Sequence, residues 1–168
     1  VYKRQIPTWA TKDEFVPGGL YPYKEQRHLS VEIRVNGEKV KYVMKKGFAV
    51  IERDWVSGDT VELELPMPVR FVDCIPEVKD NVGKTAVTRG PLVYCAEEID
   101  NGGPVQQLFL GDATEEKAQV TIEETGELKG LDFIKVGGIS LVPYYAWCNR
   151  GDNRTMLVWL NKDVSTVG

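Results

Sequence analysis

The segment that decides the fold class reads Val31-Glu32-Ile33-Arg34-Val35-Asn36-Gly37. Its apolar and charged residues alternate with a period of two, which places the valines and the isoleucine on one face of a β-strand. The Asn-Gly pair follows at once, and both residues readily adopt the positive φ values that a two-residue hairpin turn requires. The segment therefore predicts an antiparallel β-hairpin with one buried face.

Short strands separated by turn residues are predicted along the rest of the chain. They are Lys39–Met44, Phe48–Arg53, Thr60–Leu65, Val69–Ile75, Thr85–Arg89, Leu92–Ala96, Gln106–Leu110, Gln119–Glu124, Leu131–Val136, Ile139–Val142 and Thr155–Leu160. Only Asp112–Lys117 has helical character, with Asp112 as its predicted N-cap. Many short strands without helix–strand alternation predict an all-β fold, a β-sandwich or jelly roll of one or two packed antiparallel units.

A change in the spacing of turns near residues 66–73 suggests a boundary. Pro66 and Pro68 end the dense series of hairpins, because proline donates no hydrogen bond to a β-ladder. Longer loops follow. We therefore predict a first β-sandwich unit over residues 1–72, truncated at its N-terminus, and a second unit over residues 73–168.

Composition narrows the class of protein. The 168 residues carry a net charge of −4, and their lysines and arginines are scattered, which argues against a nucleic-acid partner. No stretch approaches the roughly 20 apolar residues of a membrane helix, so no membrane partner is predicted. The start, Val1-Tyr2-Lys3-Arg4, resembles the interior of a strand, so we expect a piece of a longer protein or a matured form. The compartment of this soluble chain stays open between a bacterial-type cytoplasm and a periplasm.

The residue types of common active sites are sparse. Cys74, Cys95 and Cys148 are odd in number, which excludes a complete disulfide framework. A zinc site would need all three to converge with His28, the only histidine, or with a carboxylate, so buried free thiols are the favoured interpretation. The many carboxylates lie where exposed, solvated side chains are expected. No catalytic, metal-binding or cofactor-binding residue is predicted.

The segment Pro143–Arg150 is the strongest candidate for a contact surface, because aromatic side chains seldom crowd a free surface. It could pack against another domain or between the two units, which we favour. It could instead be a core strand, with Tyr145 and Trp147 on one face, or a platform for a sugar ring. Arg89, in Arg89-Gly90-Pro91, is interpreted first as a structural arginine in a tight turn. The candidate contact residues are Tyr144, Tyr145, Trp147, Asn149, Arg150 and Arg89.

A series of short motifs then connects the chain to a known family. In order, they are Ile6-Pro7-Thr8-Trp9-Ala10, Val35-Asn36-Gly37-Glu38, Gly47-Phe48, Arg53-Asp54-Trp55, Gly58-Asp59, Leu65-Pro66-Met67, Arg89-Gly90-Pro91-Leu92-Val93-Tyr94-Cys95, Pro143–Arg150, Met156 and Trp159. Each is weak alone. Their order resembles the C-terminal region of glycoside hydrolase family 127, the β-L-arabinofuranosidase-like proteins, over nearly the whole chain.

The resemblance implies that catalysis belongs to another part of the protein, outside this chain. In that family an N-terminal (α/α)6 barrel carries the active site and a zinc-bound cysteine nucleophile, so zinc is expected only there. The implied role here is a non-catalytic β-sandwich region that braces the barrel of an enzyme acting on L-arabinofuranosyl-type linkages. The alternatives are a carbohydrate-binding module for plant-type glycans and an interaction domain that forms a homodimer. The segment Thr11–Leu29 is longer than in compact members, which implies a subgroup with its own loop.

Overall fold

A computed structural model describes residues 1–11, 14–151 and 155–163. Its strands are antiparallel and short, which confirms the predicted all-β fold. The strands are β1 Tyr2–Gln5, β2 Glu32–Val35, β3 Glu38–Lys39, β4 Val43–Lys45, β5 Phe48–Ile51, β6 Val61–Glu64, β7 Val69–Val72, β8 Lys84–Arg89, β9 Leu92–Glu97, β10 Gln119–Ile122, β11 Asp132–Val136, β12 Ile139–Pro143, β13 Met156–Leu157 and β14 Trp159–Asn161. The helical elements are one short α-helix, α1 Glu98–Asn101, and the 3-10 turns Thr8–Ala10, Lys79–Asn81, Val105–Gln107, Glu115–Lys117 and Tyr144–Ala146.

The first part of the chain packs two three-stranded sheets over one core. Their strand orders are β1-β5-β4 and β3-β2-β6. The hairpin predicted at Asn36-Gly37 joins β2 to β3, with φ values of 52° and 82° at those two residues. Ile33 on β2 and Ala49 on β5 meet in the core between the sheets, each no more than 1% exposed. The alternation at residues 31–35 therefore does face a buried interior.

The second part is built on one eight-stranded sheet. The strand order is β10-β11-β12-β9-β8-β14, with β7 also paired to β8 and β13 to β9. The main core covers one face of this sheet and includes Tyr94 and Ile134. A smaller core that includes Cys95 and Phe133 covers the other face, as expected for neighbours that point to opposite sides of a strand. Among the described residues, no helix is long and apolar enough to cross a membrane.

A segment of the first part completes the edge of this second sheet. Residues 14–27, here called the strap, run beside β7, where the Lys24 N–H donates to the Phe71 carbonyl at 2.8 Å and the Asp73 N–H donates to the Pro22 carbonyl at 3.0 Å. Tyr23 and Val72 pair across an antiparallel bridge. The strap lies within the longer loop noted at Thr11–Leu29, of which residues 12 and 13 lie outside the described ranges. Chain from before residue 66 thus belongs physically to the second sheet.

Buried charges hold the strap in place. The fully buried Glu115 carboxylate accepts from the Phe71 N–H at 2.6 Å and lies 3.1 Å from Nε of Arg27. Arg70, 2% exposed, donates to the Glu25 carbonyl at 2.6 Å, and its guanidinium lies 3.5 Å from the centre of the Tyr23 ring. The Arg27–Glu115 contact joins the strap to the turn beside the second sheet, and the contacts of Arg70 with Glu25 and Tyr23 join the strap to β7.

Two strand predictions are wrong because each strand is broken, and the helical prediction is right only for a single 3-10 turn with a different cap. The strand predicted at Lys39–Met44 divides into β3 and β4 on different sheets, because Val40 still bonds to Ile33 on β2 while β4 pairs with β5. Thr155–Leu160 is broken at Val158 into β13 and β14. Asp112–Lys117 holds only the 3-10 turn Glu115–Lys117, with Thr114 rather than Asp112 at the N-cap position.

The strand predicted at Gln106–Leu110 is also wrong. Pro104 leads into the 3-10 turn Val105–Gln107, and only Phe109 makes a single bridge, to Asn161. The Asn161 side chain donates to the carbonyls of residues 106 and 108, each at 3.2 Å. These bonds satisfy backbone groups that a neighbouring strand would otherwise pair.

Candidate functional site

The aromatic segment after β12 forms a turn. Pro143 is the last residue of β12, paired with Tyr94, and a 3-10 turn follows over Tyr144–Ala146. Ala146 is 1% exposed, whereas Tyr144 is 49% and Tyr145 61% exposed. The core-strand interpretation, with alternating faces, is therefore wrong for this segment.

Trp147 is half-buried and anchors the turn to the smaller core. It packs on the cluster that contains Cys95, Phe133 and Val142. The Tyr144 ring stacks on the Trp147 ring, with centroids 6.4 Å apart and planes inclined by 26°. The pair therefore has one exposed ring, Tyr144, stacked on a half-buried ring, Trp147.

Arg150 turns inward to carboxylates of its own chain. It makes a two-bond contact with Asp100, at 2.7 and 2.5 Å, and a third bond to Glu97 at 2.5 Å. The hydrogen bonds that Arg150 donates to the Asp100 and Glu97 carboxylates raise the pKa of Arg150 despite its burial. The second carboxylate oxygen of Glu97 accepts from the Cys148 N–H at 3.1 Å. Arg150 thus ties the turn to α1, while Asn149 next to it is exposed.

Arg89 and Tyr145 come together around a buried tyrosine. Arg89 ends β8 and pairs with Asp132, at the start of β11, at 2.8 Å. Tyr94 is 1% exposed, and burial raises the pKa of its hydroxyl, while Arg89, Asp132 and Tyr145 lie close enough to affect that pKa. At the tight turn that follows Arg89, Gly90 has φ +56°, and a Cβ there would lie 2.6 Å from Cε of Met67.

The structure thus divides five of the six predicted contact residues into two groups, and the exposed Asn149 belongs to neither. Arg89, Tyr144 and Tyr145 present side chains at the surface of one end of the second sheet, with Trp147 behind Tyr144; we call these four residues the aromatic end. Arg150 instead bonds to carboxylates of its own chain.

Sequence reasoning missed Tyr94, Asp132, Glu97 and Asp100 as partners of the candidate residues. The one signal available in the sequence was the position of Tyr94 within the motif that begins at Arg89.

The chemical groups near the aromatic end determine what it can bind. Within the described ranges, no cluster of three or more histidine, cysteine, aspartate or glutamate side chains could hold a metal ion. Of the three cysteines only Cys95 is fully buried, and burial raises its pKa to about 12. Cys148 is exposed and Cys74 is half-buried, so the prediction of buried thiols is right for Cys95 alone. The aromatic end instead offers ring faces and an arginine, which suit a neighbouring protein surface or a sugar.

Two family descriptions match consecutive parts of the chain. The β-L-arabinofuranosidase GH127 middle domain matches residues 3–67, and the glycoside hydrolase family 127 C-terminal domain matches residues 69–161. The chain belongs to glycoside hydrolase family 127.

Named relatives are similar to this chain over part of their length. A non-reducing end β-L-arabinofuranosidase of Bifidobacterium longum is 31% identical over 149 residues, which cover 72% of this chain and 22% of that protein. A solved GH127 β-arabinofuranosidase has a TM-score of 0.84 at 34% identity and covers 97% of this chain and 28% of its own. A GH127 β-L-arabinofuranosidase from Geobacillus stearothermophilus T6 has a TM-score of 0.68 at 38% identity, covering 80% of this chain and 25% of its own. The chain spans about a quarter of the length of these relatives.

Proposed function

We propose that this chain is the non-catalytic β-sandwich region of a longer family 127 glycosidase and that it braces the catalytic (α/α)6 barrel of that protein. The supporting observation is that the chain matches the family's middle and C-terminal domains and spans about a quarter of its relatives. The parent enzyme would hydrolyse a terminal β-L-arabinofuranosyl or related linkage, in keeping with the names of those relatives. Zinc, if the parent uses it, would belong to the barrel.

The aromatic end is the proposed contact with the barrel. Tyrosine and arginine are enriched among the residues that dominate binding energy at protein interfaces. Tyr145 is 61% exposed, and Tyr145, Arg89 and Asp132 all lie close enough to the buried Tyr94 hydroxyl to affect its pKa. Truncation of such an interface ring costs about 2 kcal/mol or more.

The test uses the full-length parent with Tyr145→Ala. We expect a lower unfolding temperature and faster proteolysis between the barrel and the sandwich region, with little change in KM for a nitrophenyl β-L-arabinofuranoside. The matched control is Val56→Ala, because Val56 is 69% exposed in a turn of the first part. Unchanged stability together with weaker substrate binding would contradict bracing.

The non-catalytic part of the proposal has its own experiment. The 168-residue chain, once circular dichroism shows that it is folded, should leave the same nitrophenyl substrate intact. Turnover above that of a buffer blank, retained after further purification, would overturn the assignment.

A carbohydrate-binding module is the second candidate, because the stacked Tyr144–Trp147 pair exposes one aromatic face. Sugar rings pack on such faces. Calorimetry with arabinan fragments distinguishes the two roles: saturable binding that Tyr144→Ala abolishes would favour the module, and absence of heat would favour the brace.

A further inference from the structure

The outer face of the sheet β1-β5-β4 has an apolar centre that is exposed in part. In the antiparallel register, Val50 lies between Lys3 and Val43, and Phe48 lies between Gln5 and Lys45. Directly paired residues share a face, so these six side chains point away from the core that Ala49 and Ile51 fill. Val43 is 59% and Phe48 39% exposed, whereas Val50 is only 6% exposed, so the accessible apolar surface of this face comes from Val43 and Phe48.

Lysines surround this centre. Lys3, Lys41, Lys45 and Lys46 line two adjoining depressions of about 770 and 270 Å³. Glu52 is the one acid among the lining residues that the structure describes. The ion pairs found within the described ranges involve none of these four lysines. A concentrated positive face therefore stands out on a chain whose net charge is −4.

An apolar centre with a polar rim is the usual anatomy of a protein–protein contact. Apolar patches with polar borders mark such sites on proteins, and a rim of one sign selects a partner of the opposite sign. The face therefore fits a partner with an apolar centre and an acidic border.

The position of the first strand indicates which partner reaches this face. β1 begins at Tyr2 and belongs to the same sheet. The matched descriptions are a middle and a C-terminal domain, so in the family the rest of the chain joins this region ahead of residue 3. A domain tethered next to a surface meets it at an effective concentration on the order of millimolar.

We propose that this lysine-rimmed face, defined by Val43, Phe48, Val50 and the four lysines, docks an acidic-bordered surface of the domain that precedes it in the parent protein. The inference rests on the proposed bracing role and gives that role a second contact, separate from the aromatic end. It also assigns the chemistry of the partner surface: apolar at its centre and rich in aspartate or glutamate around it.

The test measures thiol accessibility in the full-length parent. Val43→Cys and, as a matched control, Val56→Cys are alkylated with iodoacetamide, and mass spectrometry follows each peptide in native buffer and in urea. We expect native alkylation of the cysteine at 43 to be at least tenfold slower than in urea, with a much smaller difference at 56. Similar native rates at both positions would overturn the docking proposal.

Charge reversal tests the chemistry of the partner. Adding Lys3→Glu and Lys45→Glu to Val43→Cys should raise the native alkylation rate toward that of the control. Lys39→Glu, on the other sheet, should leave it unchanged. Protection that persists after reversal would refute an acidic partner, and protection that fades on dilution would identify a second copy instead.

A parallel Tyr145→Cys variant separates this inference from the bracing role. Protection at 145 with free access at 43 would refute the lysine-rimmed face as a docking site and leave the brace supported. Free access at both positions would refute both. Protection at 43 supports the inference whichever result position 145 gives.

Discussion

Arg150 shows how a polar residue in a conspicuous motif can be internal. Its guanidinium compensates two carboxylates whose side chains are only 8% (Glu97) and 14% (Asp100) exposed. An uncompensated buried charge costs far more than a broken surface pair, because water no longer solvates it.

We therefore expect Arg150→Ala to lower the free energy of unfolding by about 3 kcal/mol, measured by urea denaturation. The comparison is Arg34→Ala, which breaks the exposed pair with Glu32 and should have a much smaller effect. Equal losses in the two variants would show that the Arg150 cluster is effectively solvated.

Glu115 is the residue whose charge state should affect stability. Burial raises the pKa of its carboxyl, and the Phe71 N–H and Arg27 offset this only in part. An acid whose pKa is higher in the folded state stabilises the fold below its unfolded pKa, and this contribution is lost as pH rises through the folded value.

The unfolding free energy of wild type relative to Glu115→Gln should therefore fall between pH 4 and pH 7, because the amide mimics the protonated acid. Denaturation at several pH values measures this difference. Glu116→Gln, at the exposed neighbouring position, is the matched control for the amide substitution itself. A difference that rises with pH would mean that Arg27 outweighs burial.

At the scale of elements, the strap and β7 form one unit. Their backbone bonds alternate between the two segments, and the Tyr23 ring lies under the Arg70 guanidinium. Removing one anchor should therefore loosen both partners together, as cooperative local opening does.

Tyr23→Ala should speed hydrogen exchange at the amides of Lys24, Asp73 and Ile75 at least tenfold. Amides of β11 and β12, which lie elsewhere in the sheet, should keep their protection and serve as the internal control. Faster exchange throughout the sheet would mean global destabilisation; no change would show that the strap does not depend on Tyr23.

Local signals predicted the elements well, and distant contacts explain the failures. The β2–β3 hairpin follows from seven consecutive residues, whose turn chemistry and alternation need no other part of the chain. The strap carries no such pattern, and its partner Val72 lies about 50 residues away. The division at residues 39–44 likewise depends on which sheet each half joins.

For the candidate contact residues, only their exposure can be compared with the sequence-based prediction. The composition of Pro143–Arg150 pointed to contact residues, and Tyr144 and Tyr145 are exposed. Their grouping was not predictable, because Arg89 and Tyr145 each lie near Tyr94, which is on a neighbouring strand, and Arg150 bonds to Glu97 and Asp100 after a turn that ends the strand pattern. Such pairings are set by sheet order.

At the scale of the whole molecule, the two matched family regions share structure across their boundary. The strap comes from the region matched at 3–67 but covers β7, in the region matched at 69–161. Dividing the chain at residue 68 would expose the edge of β7 and leave Glu115 buried without Arg27.

A piece comprising residues 69–163 should therefore unfold at a lower urea concentration than residues 1–163, or without a cooperative transition. Circular dichroism and dye binding to exposed apolar surface measure the difference. A synthetic peptide of residues 14–27 in excess should restore part of the loss by mass action. Equal midpoints for the two pieces would show that the strap is dispensable.

The strap also sets an order of events during synthesis. It leaves the ribosome about 50 residues before Val72, its partner on β7. At roughly 5–20 residues per second, Tyr23 stays exposed for roughly 3–10 seconds before its partner Val72 is synthesised. Translation speed over residues 28–75 therefore determines how long this apolar segment is open to chaperones or to neighbouring nascent chains.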